Sequence, residues 1–279
     1  MGSTGSYRTM SRSSGSTAPT SSPSVPPVAP VNGNNPGVKS QVPNAQNTPV
    51  TSNAVNALTQ MSDDQLAALI RASKGVQMPN FISDMKDPTQ EFVFQAGINE
   101  KPMVLDAQAF AQFMSDNGIS QGDIIARSVN GANYTNNDGT RVNLTGNQIN
   151  DIIKYSRLNY IGGKKGGQAL GAGAYFEVTA GKGSTGYGGT TMEAVLNPKT
   201  AKVINSWDLQ TAVSSWANSH PKAARAIGSY STGRGGTASI YALCMGYNVI
   251  ADGKTGKTKG LYRGNYYNVI DRSALVIRE

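Results

Sequence analysis

Apolar residues fall at helical spacing early in the chain and in short runs later. Leu66, Leu69 and Ile70 form a stripe behind a capping pair, Ser62 and Gln65, with Asp63 and Asp64 at the positive end of the helix dipole and Gly75 as a stop. Phe110, Phe113 and Met114 predict a second helix over 106–114, capped by Asp106 and ended by Asn117 and Gly118. Ile124, Ile125 and Ala126 predict a short buried strand leading to Arg127. The Asn-, Gly- and Asp-rich residues 130–141 predict a loop or hairpin. Thr145 caps a predicted helix carrying Ile149, Ile152, Ile153 and Tyr155.

Glycines then crowd 162–173, just before Tyr175 and Phe176. A strand is predicted over 192–196, followed by Pro198. A helix capped by Ser206 carries Leu209, Val213 and Trp216, and Pro221 opens another. The apolar run 240–250 reads as a strong strand, 251–260 as a basic turn, and 266–270 with 274–277 as a closing strand or strand pair. Helices first and strands with helical inserts afterwards predict an α+β fold rather than a doubly wound α/β sheet.

Composition divides the chain. Residues 1–57 are mostly Ser, Pro, Gly, Asn, Thr, Val and Ala, with Arg8, Arg12 and Lys39 and no acid, so they carry +3. Such a segment cannot bury enough apolar surface to offset about 1–2 kcal/mol per residue of ordering entropy, and it is predicted to be a disordered tail. A helical region, 58–119, is expected to pack on a domain over 120–279. The net charge is +8, and residues 180–279 hold 12 basic against 5 acidic side chains. That excess suits an anionic ligand, nucleic acid or an acidic partner, or is a solvated surface.

One cysteine, Cys244, and one histidine, His220, rule out an internal disulfide framework and His-pair zinc motifs, and no metal is expected. His220 beside Pro221 reads as a helix-end residue. No apolar run nears 18 residues and no apolar leader opens the chain, so neither a membrane span nor a secretory signal is expected.

Phosphate motifs are absent. Gly162-Gly163-Lys164-Lys165-Gly166-Gly167 lacks the Walker ending, and no G-x-G-x-x-G opens a helix after a strand. What remains is Gly171-Ala172-Gly173-Ala174-Tyr175-Phe176 followed by Ser184-Thr185-Gly186-Tyr187. A planar ring such as nicotinamide needs aromatic faces, and its carboxamide needs a hydroxyl or backbone partner. Tyr175 and Tyr187 offer the faces and Ser184 the hydroxyl. The same residues also fit a strand with two core tyrosines joined by a Gly-rich turn.

That Tyr-Phe…Ser-x-x-Tyr spacing resembles the ADP-ribosyltransferase superfamily, in particular its histidine–tyrosine–glutamate branch, over about residues 120–279. The resemblance implies a split β-sheet core that uses NAD as substrate. It implies that Tyr175 and Tyr187 sandwich the nicotinamide, beside Phe176, and that Ser184 and Ser128 bind its carboxamide. Arg127 takes the histidine slot, where an arginine is typical of the superfamily's arginine–serine–glutamate branch and contacts NAD phosphate or ribose.

The closing strand departs from the pattern. Tyr266 stands where the family carries its catalytic glutamate, with Asn265 and Asn268 nearby. A neutral tyrosine does not balance developing positive charge, an effect worth about 3–4 kcal/mol. Either turnover is slow and limited to one transferred unit, or another carboxylate (Glu177, Glu193 or Asp271) substitutes, or the fold binds without reacting. The implied catalytic set is Arg127, Tyr175 and Tyr266, in a mono-ADP-ribosyltransferase acting on a host macromolecule. A segment from Pro88-Thr89-Gln90 to Pro102-Met103-Val104-Leu105-Asp106 also resembles domains encoded in phages near head genes. This implies, as the alternative, an inert structural or interaction protein of a phage particle, and places the chain in the host cytoplasm or the virion.

Overall fold

Capping chemistry sets where the helices begin. In the computed structural model, residues 53–76, 87–135, 140–156, 170–179, 189–233, 235–252, 256–258, 261–263 and 266–279 are described. They run α1 (Asn53–Gln60), α2 (Asp63–Ser73), α3 (Pro88–Gln95), β1 (Met103–Leu105), α4 (Ala107–Asp116), β2 (Ile125–Val129), β3 (Ala132–Thr135), β4 (Arg141–Leu144), α5 (Gly146–Tyr155), β5 (Ala174–Val178), β6 (Thr190–Leu196), β7 (Val203–Asn205), α6 (Ser206–Ser219), α7 (Pro221–Ile227), α8 (Ala238–Cys244), β8 (Val249–Asp252), β9 (Gly256–Thr258), β10 (Leu261–Arg263), β11 (Tyr266–Val269) and β12 (Leu275–Arg278).

Ser62 and Gln65 close their reciprocal box at α2, Thr145 and Gln148 do the same at α5, and Asp106 accepts from the Ala109 amide at α4. α4 stops as predicted. Gly118 takes φ +62°, so the Ile119 amide can fold back onto the Met114 carbonyl.

Among the described residues the architecture is mixed, with eight helices and an eight-stranded sheet ordered β1-β12-β6-β2-β5-β11-β8-β7. Its outer pairs β1/β12 and β7/β8 are parallel and the rest antiparallel. Alternation gives the faces different coverings. On one face Phe176, Met192, Tyr267 and Val269 pack with Ile149 and Ile153 of α5 in a continuous core. The opposite face carries two separate clusters. At the β12 side Val276, Val195 and Ile124 meet Phe110 and Met114 of α4. At the β8 side Ile250 joins residues of α1, α2, α3, α6, α7 and α8. Helices from before residue 120 therefore share one core with helices from after it.

Three sequence readings are corrected. The run 240–250 is not one strand. It is helix α8, then a turn at Gly246 (φ +87°), then β8. All seven residues of α8 are buried, and a helix apolar on every side shows no 3.6-residue period to separate it from a buried strand. Pro88, placed in a connector, is the first residue of α3, where its missing amide costs nothing. Ser206 is the first residue of α6, and the cap is Asn205, whose side chain accepts from the Trp207 amide at 2.9 Å. In addition, α1 starts at Asn53, inside the segment assigned to the tail; residues 1–52 lie outside the described residues.

The strands of the predicted closing pair do not pair with each other. β11 lies between β5 and β8, and β12 between β6 and β1. The turn that carries the chain across holds Arg272, only 1% exposed. Its guanidinium donates to Glu100 O (3.0 Å), Asn99 O (3.1 Å), Ile152 O (3.2 Å) and Ile153 O (3.1 Å), and to Ser156 O. Three of these are carbonyls at the C-terminal end of α5, where the dipole favours a cation. Burial pulls the guanidinium down to about 10, partly offset by the charge of neighbouring Asp271. Asp271 itself is fully buried and accepts from the Ser273 amide (3.0 Å) and hydroxyl (2.8 Å).

Asp63 joins two helices far apart in sequence. Its carboxylate accepts from the Lys222 (3.0 Å) and Ala223 (2.8 Å) amides at the start of α7. Burial works against its charge, but those amides, with His220 and Lys222 nearby, hold its carboxyl below the ordinary value. A depressed carboxylate stabilises the fold above its unfolded pKa, and that stability is lost as pH falls through the folded one.

Two outcomes are expected. Arg272→Met lowers the unfolding free energy by about 3–5 kcal/mol, measured by urea denaturation, because five carbonyls lose their donor; Arg272→Lys recovers only part. Asp63→Asn lowers Tm at pH 7, and the gap to wild type closes as pH falls below the carboxylate range in a thermal melt series.

Candidate functional site: a fork in the sheet

β2 and β5 pair at only two positions, Ile125 with Val178 and Ala126 with Glu177. Beyond them β2 stays with β6 as far as Val129, and β5 stays with β11 as far as Ala174. The sheet forks there, and among the described residues no strand pairs with the inner edge of β5 beyond Ala126. Arg127, 8% exposed, fills the opening and its Nη1 donates to the Tyr175 carbonyl at 3.4 Å. A long cationic donor suits an edge carbonyl that has lost its ladder.

A second device holds the glycine turn at the same end. Asn268 of β11 is fully buried, and its Nδ2 donates to Leu170 O (3.2 Å) and Ser239 Oγ (3.3 Å). Ser239 Oγ in turn donates to Ala172 O at 2.9 Å. Gly173 is required because a Cβ there would stand 1.6 Å from Asn268 Oδ1. The Tyr175 hydroxyl closes the group, donating to Gly171 O (2.6 Å) and accepting from the Leu170 amide (2.9 Å). Burial, eased by the Leu170 amide and reinforced by Asp252 and Asp87, pushes this phenol well above its ordinary value.

One row below, polar side chains cross the sheet on the face that carries the two separate clusters. Register sets Glu193 (β6) opposite Ala126 (β2), Ala126 opposite Glu177 (β5), Glu177 opposite Tyr266 (β11), and Tyr266 opposite Asp252 (β8). Directly opposed residues share a face. The row therefore lies between the cluster under α4 and the cluster under α8. Glu193 is paired with Arg278 (2.9 Å), and Asp252 Oδ1 accepts from Ser206 Oγ (3.2 Å). Glu177 Oε2 is buried with no hydrogen-bond partner among the described residues. Trp207, next to Ser206, is 73% exposed.

The sequence-derived residues fall into groups against this geometry. Ser128 and Tyr175 stand at the fork on the face of the polar row, where Ser128 Oγ shares a 2.7 Å hydrogen bond with Thr191 Oγ1; Arg127, opposite Met192, leaves β2 on the other face and meets the fork through its guanidinium at the Tyr175 carbonyl. Tyr266 is half-buried in the row below. Phe176 points to the opposite face and is 1% exposed in the continuous core. Ser184 and Tyr187 lie outside the described residues.

Of the three carboxylates considered as substitutes, only Glu177 neighbours Tyr266. Glu193 is paired at the far end of the row, and Asp271 is buried in the turn before β12. Asp252, on the other side of Tyr266, was missed. It precedes a basic turn, and nothing in the local pattern signals that β8 and β11 are neighbours.

Among the described residues no three His, Cys, Asp or Glu are grouped to hold a metal ion, and no helix is long and apolar enough to cross a membrane. Cys244 is buried in α8, where burial pushes its thiol up to about 12. His220 sits at the junction of α6 and α7, stacked on Trp216 with ring centroids 4.6 Å apart. No family model, curated protein or solved structure matches the chain.

Gly173→Ala forces Asn268 out of its pocket and is expected to cost about 3 kcal/mol, read as a lowered urea midpoint. A second substitution, Asn268→Gly, which removes the obstructing amide, recovers part of that loss.

Proposed function

We propose that the chain is an ADP-ribosyltransferase-like protein that takes NAD as substrate and transfers its ADP-ribose unit to a macromolecule. The observation that carries the reading is the fork. The resemblance implies a split sheet, and β2 leaves β5 after two pairs with Arg127 and Ser128 on one side of the opening and Tyr175 on the other. The closing strand β11 runs beside β5 and carries Tyr266 one row from that opening.

In this reading the guanidinium of Arg127, which leaves β2 on the core face and reaches the fork at the Tyr175 carbonyl, supplies positive charge for the dinucleotide's phosphates or ribose. The hydroxyls of Ser128 and Thr191 line the β2–β6 side and offer hydrogen bonds to the carboxamide. The Tyr175 hydroxyl is already committed to backbone groups, so its contribution is the ring face. Tyr187 and Ser184 complete the ring site as the resemblance implies. In the reaction the bond between ribose C1′ and the nicotinamide nitrogen breaks, and its electron pair leaves with nicotinamide. The acceptor's oxygen or nitrogen bonds to C1′ and gives up a proton. Nothing is oxidised or reduced, and host cytoplasm is the compartment in which NAD and an acceptor meet.

One observation favours the second reading, an interaction protein of a phage particle that keeps the fold without the chemistry. The Arg127 guanidinium and the Tyr175 hydroxyl both serve the protein's own backbone. With NAD labelled in its adenylate half and a host lysate, the transferase labels a protein or nucleic acid and releases nicotinamide. NAD also raises its Tm, and Tyr187→Ala removes the rise. An unchanged Tm with no release, and tight co-purification with particles, would decide for the second reading.

A further inference from the structure

The row across the fork supplies what the closing strand lacks. Tyr266 stands between two carboxylates on its two neighbouring strands, Glu177 on β5 and Asp252 on β8. Neighbouring strands lie about 4.8 Å apart, so the two backbones stand about 10 Å apart with one tyrosine between them. The two acids differ in surroundings. Glu177 Oε2 is buried and has no hydrogen-bond partner among the described residues, although a buried polar atom of this kind ordinarily finds one. Asp252 is held by the Ser206 hydroxyl at the outer end of the row. Glu193 and Asp271, the other acids of this part of the sheet, are committed to Arg278 and to Ser273.

We propose that the duty of one closing-strand glutamate is divided here between Glu177 and Asp252, with Tyr266 as the spacer between them. This rests on the ADP-ribosyltransferase reading above. Glu177, half-buried and with an Oε2 that has no hydrogen-bond partner among the described residues, faces the positive charge that grows on ribose C1′ as the C1′–N bond breaks and its electron pair departs with nicotinamide. Asp252, the outer acid, accepts the proton of the acceptor hydroxyl or amine as that group bonds to C1′. Two carboxyl groups about 6.5–9.5 Å apart leave room for an incoming nucleophile in the cleavage of sugar bonds, and the strand spacing is compatible with such a gap. Asp252, held by Ser206 at the outer end of the row, meets the acceptor, and Glu177, beside the fork, meets the sugar.

The test measures NAD binding by calorimetry and nicotinamide release on the full chain, for wild type, E177Q, D252N and the double variant E177Q/Y266E, each checked for a cooperative melt. E177Q is expected to lose about 10²–10³-fold in kcat while the NAD Kd stays within about threefold. D252N is expected to lose the acid-side limb of the pH–rate profile. E177Q/Y266E, which puts a carboxylate back on the closing strand, regains activity over E177Q; a residue with a merely structural role would show no such rescue. E177Q turning over at the wild-type rate overturns the division of labour and leaves the transferase reading standing. Wild type that neither binds NAD nor releases nicotinamide overturns the transferase reading and this proposal together.

Discussion

A single guanidinium ties the crossing between the two halves of this sheet to the end of α5 and to the approach to β1. Arg272 lies in the turn between β11, which belongs with β5, and β12, which belongs with β6. Taking a charge out of water costs several kcal/mol even after relaxation. Five carbonyls facing it return a comparable amount, at about 1.5–3 kcal/mol for a charged hydrogen bond. The balance depends on having all five. They come from the end of α5 and from Asn99 and Glu100, so the crossover, the helix under the sheet and the approach to β1 are ordered together.

On one face a continuous core runs under both halves, from Met192 through Phe176 to Val249, so the halves cannot drift apart. On the other face the apolar contacts form two separate clusters, with the polar row between them. The sheet is thus sealed on one side and parted on the other. On the parted side stand Ser128, Thr191 and the glycine turn held by Asn268, while Arg127, opposite Met192, reaches the Tyr175 edge carbonyl from the sealed side.

What could be read from the sequence was local. The capping box at Ser62, the caps at Thr145 and Asp106 and the stop at Gly118 depend on residues three or four apart, and the structure has all four. Strand β2, the 190s strand and the two strands of the C-terminal stretch were visible as short apolar runs. β1 and β7 were not, because three residues at the edge of a sheet carry no period. Arg272 and Asn268 left no signal either, since their partners are backbone carbonyls from distant segments and any residue can supply a carbonyl. The candidate site divides the same way. Arg127, Ser128, Tyr175 and Tyr266 were reached through the family resemblance. That Glu177 and Asp252 flank Tyr266 depends on the register of β5, β11 and β8, strands that lie from about 15 to 90 residues apart in the chain.

The strand order also bears on how the protein is made. β11 and β12 follow every other strand of the sheet in chain order, yet neither is at an edge; each is inserted between two strands already synthesised. Until they emerge from the ribosome, β5 has no partner on its β8 side and β6 has none on its outer side. The nascent chain carries unpaired strand edges until its last dozen or so described residues are free, and it must be kept from aggregating through that interval. Any change that slows the closing of β11 and β12 is therefore felt first as lost yield during synthesis.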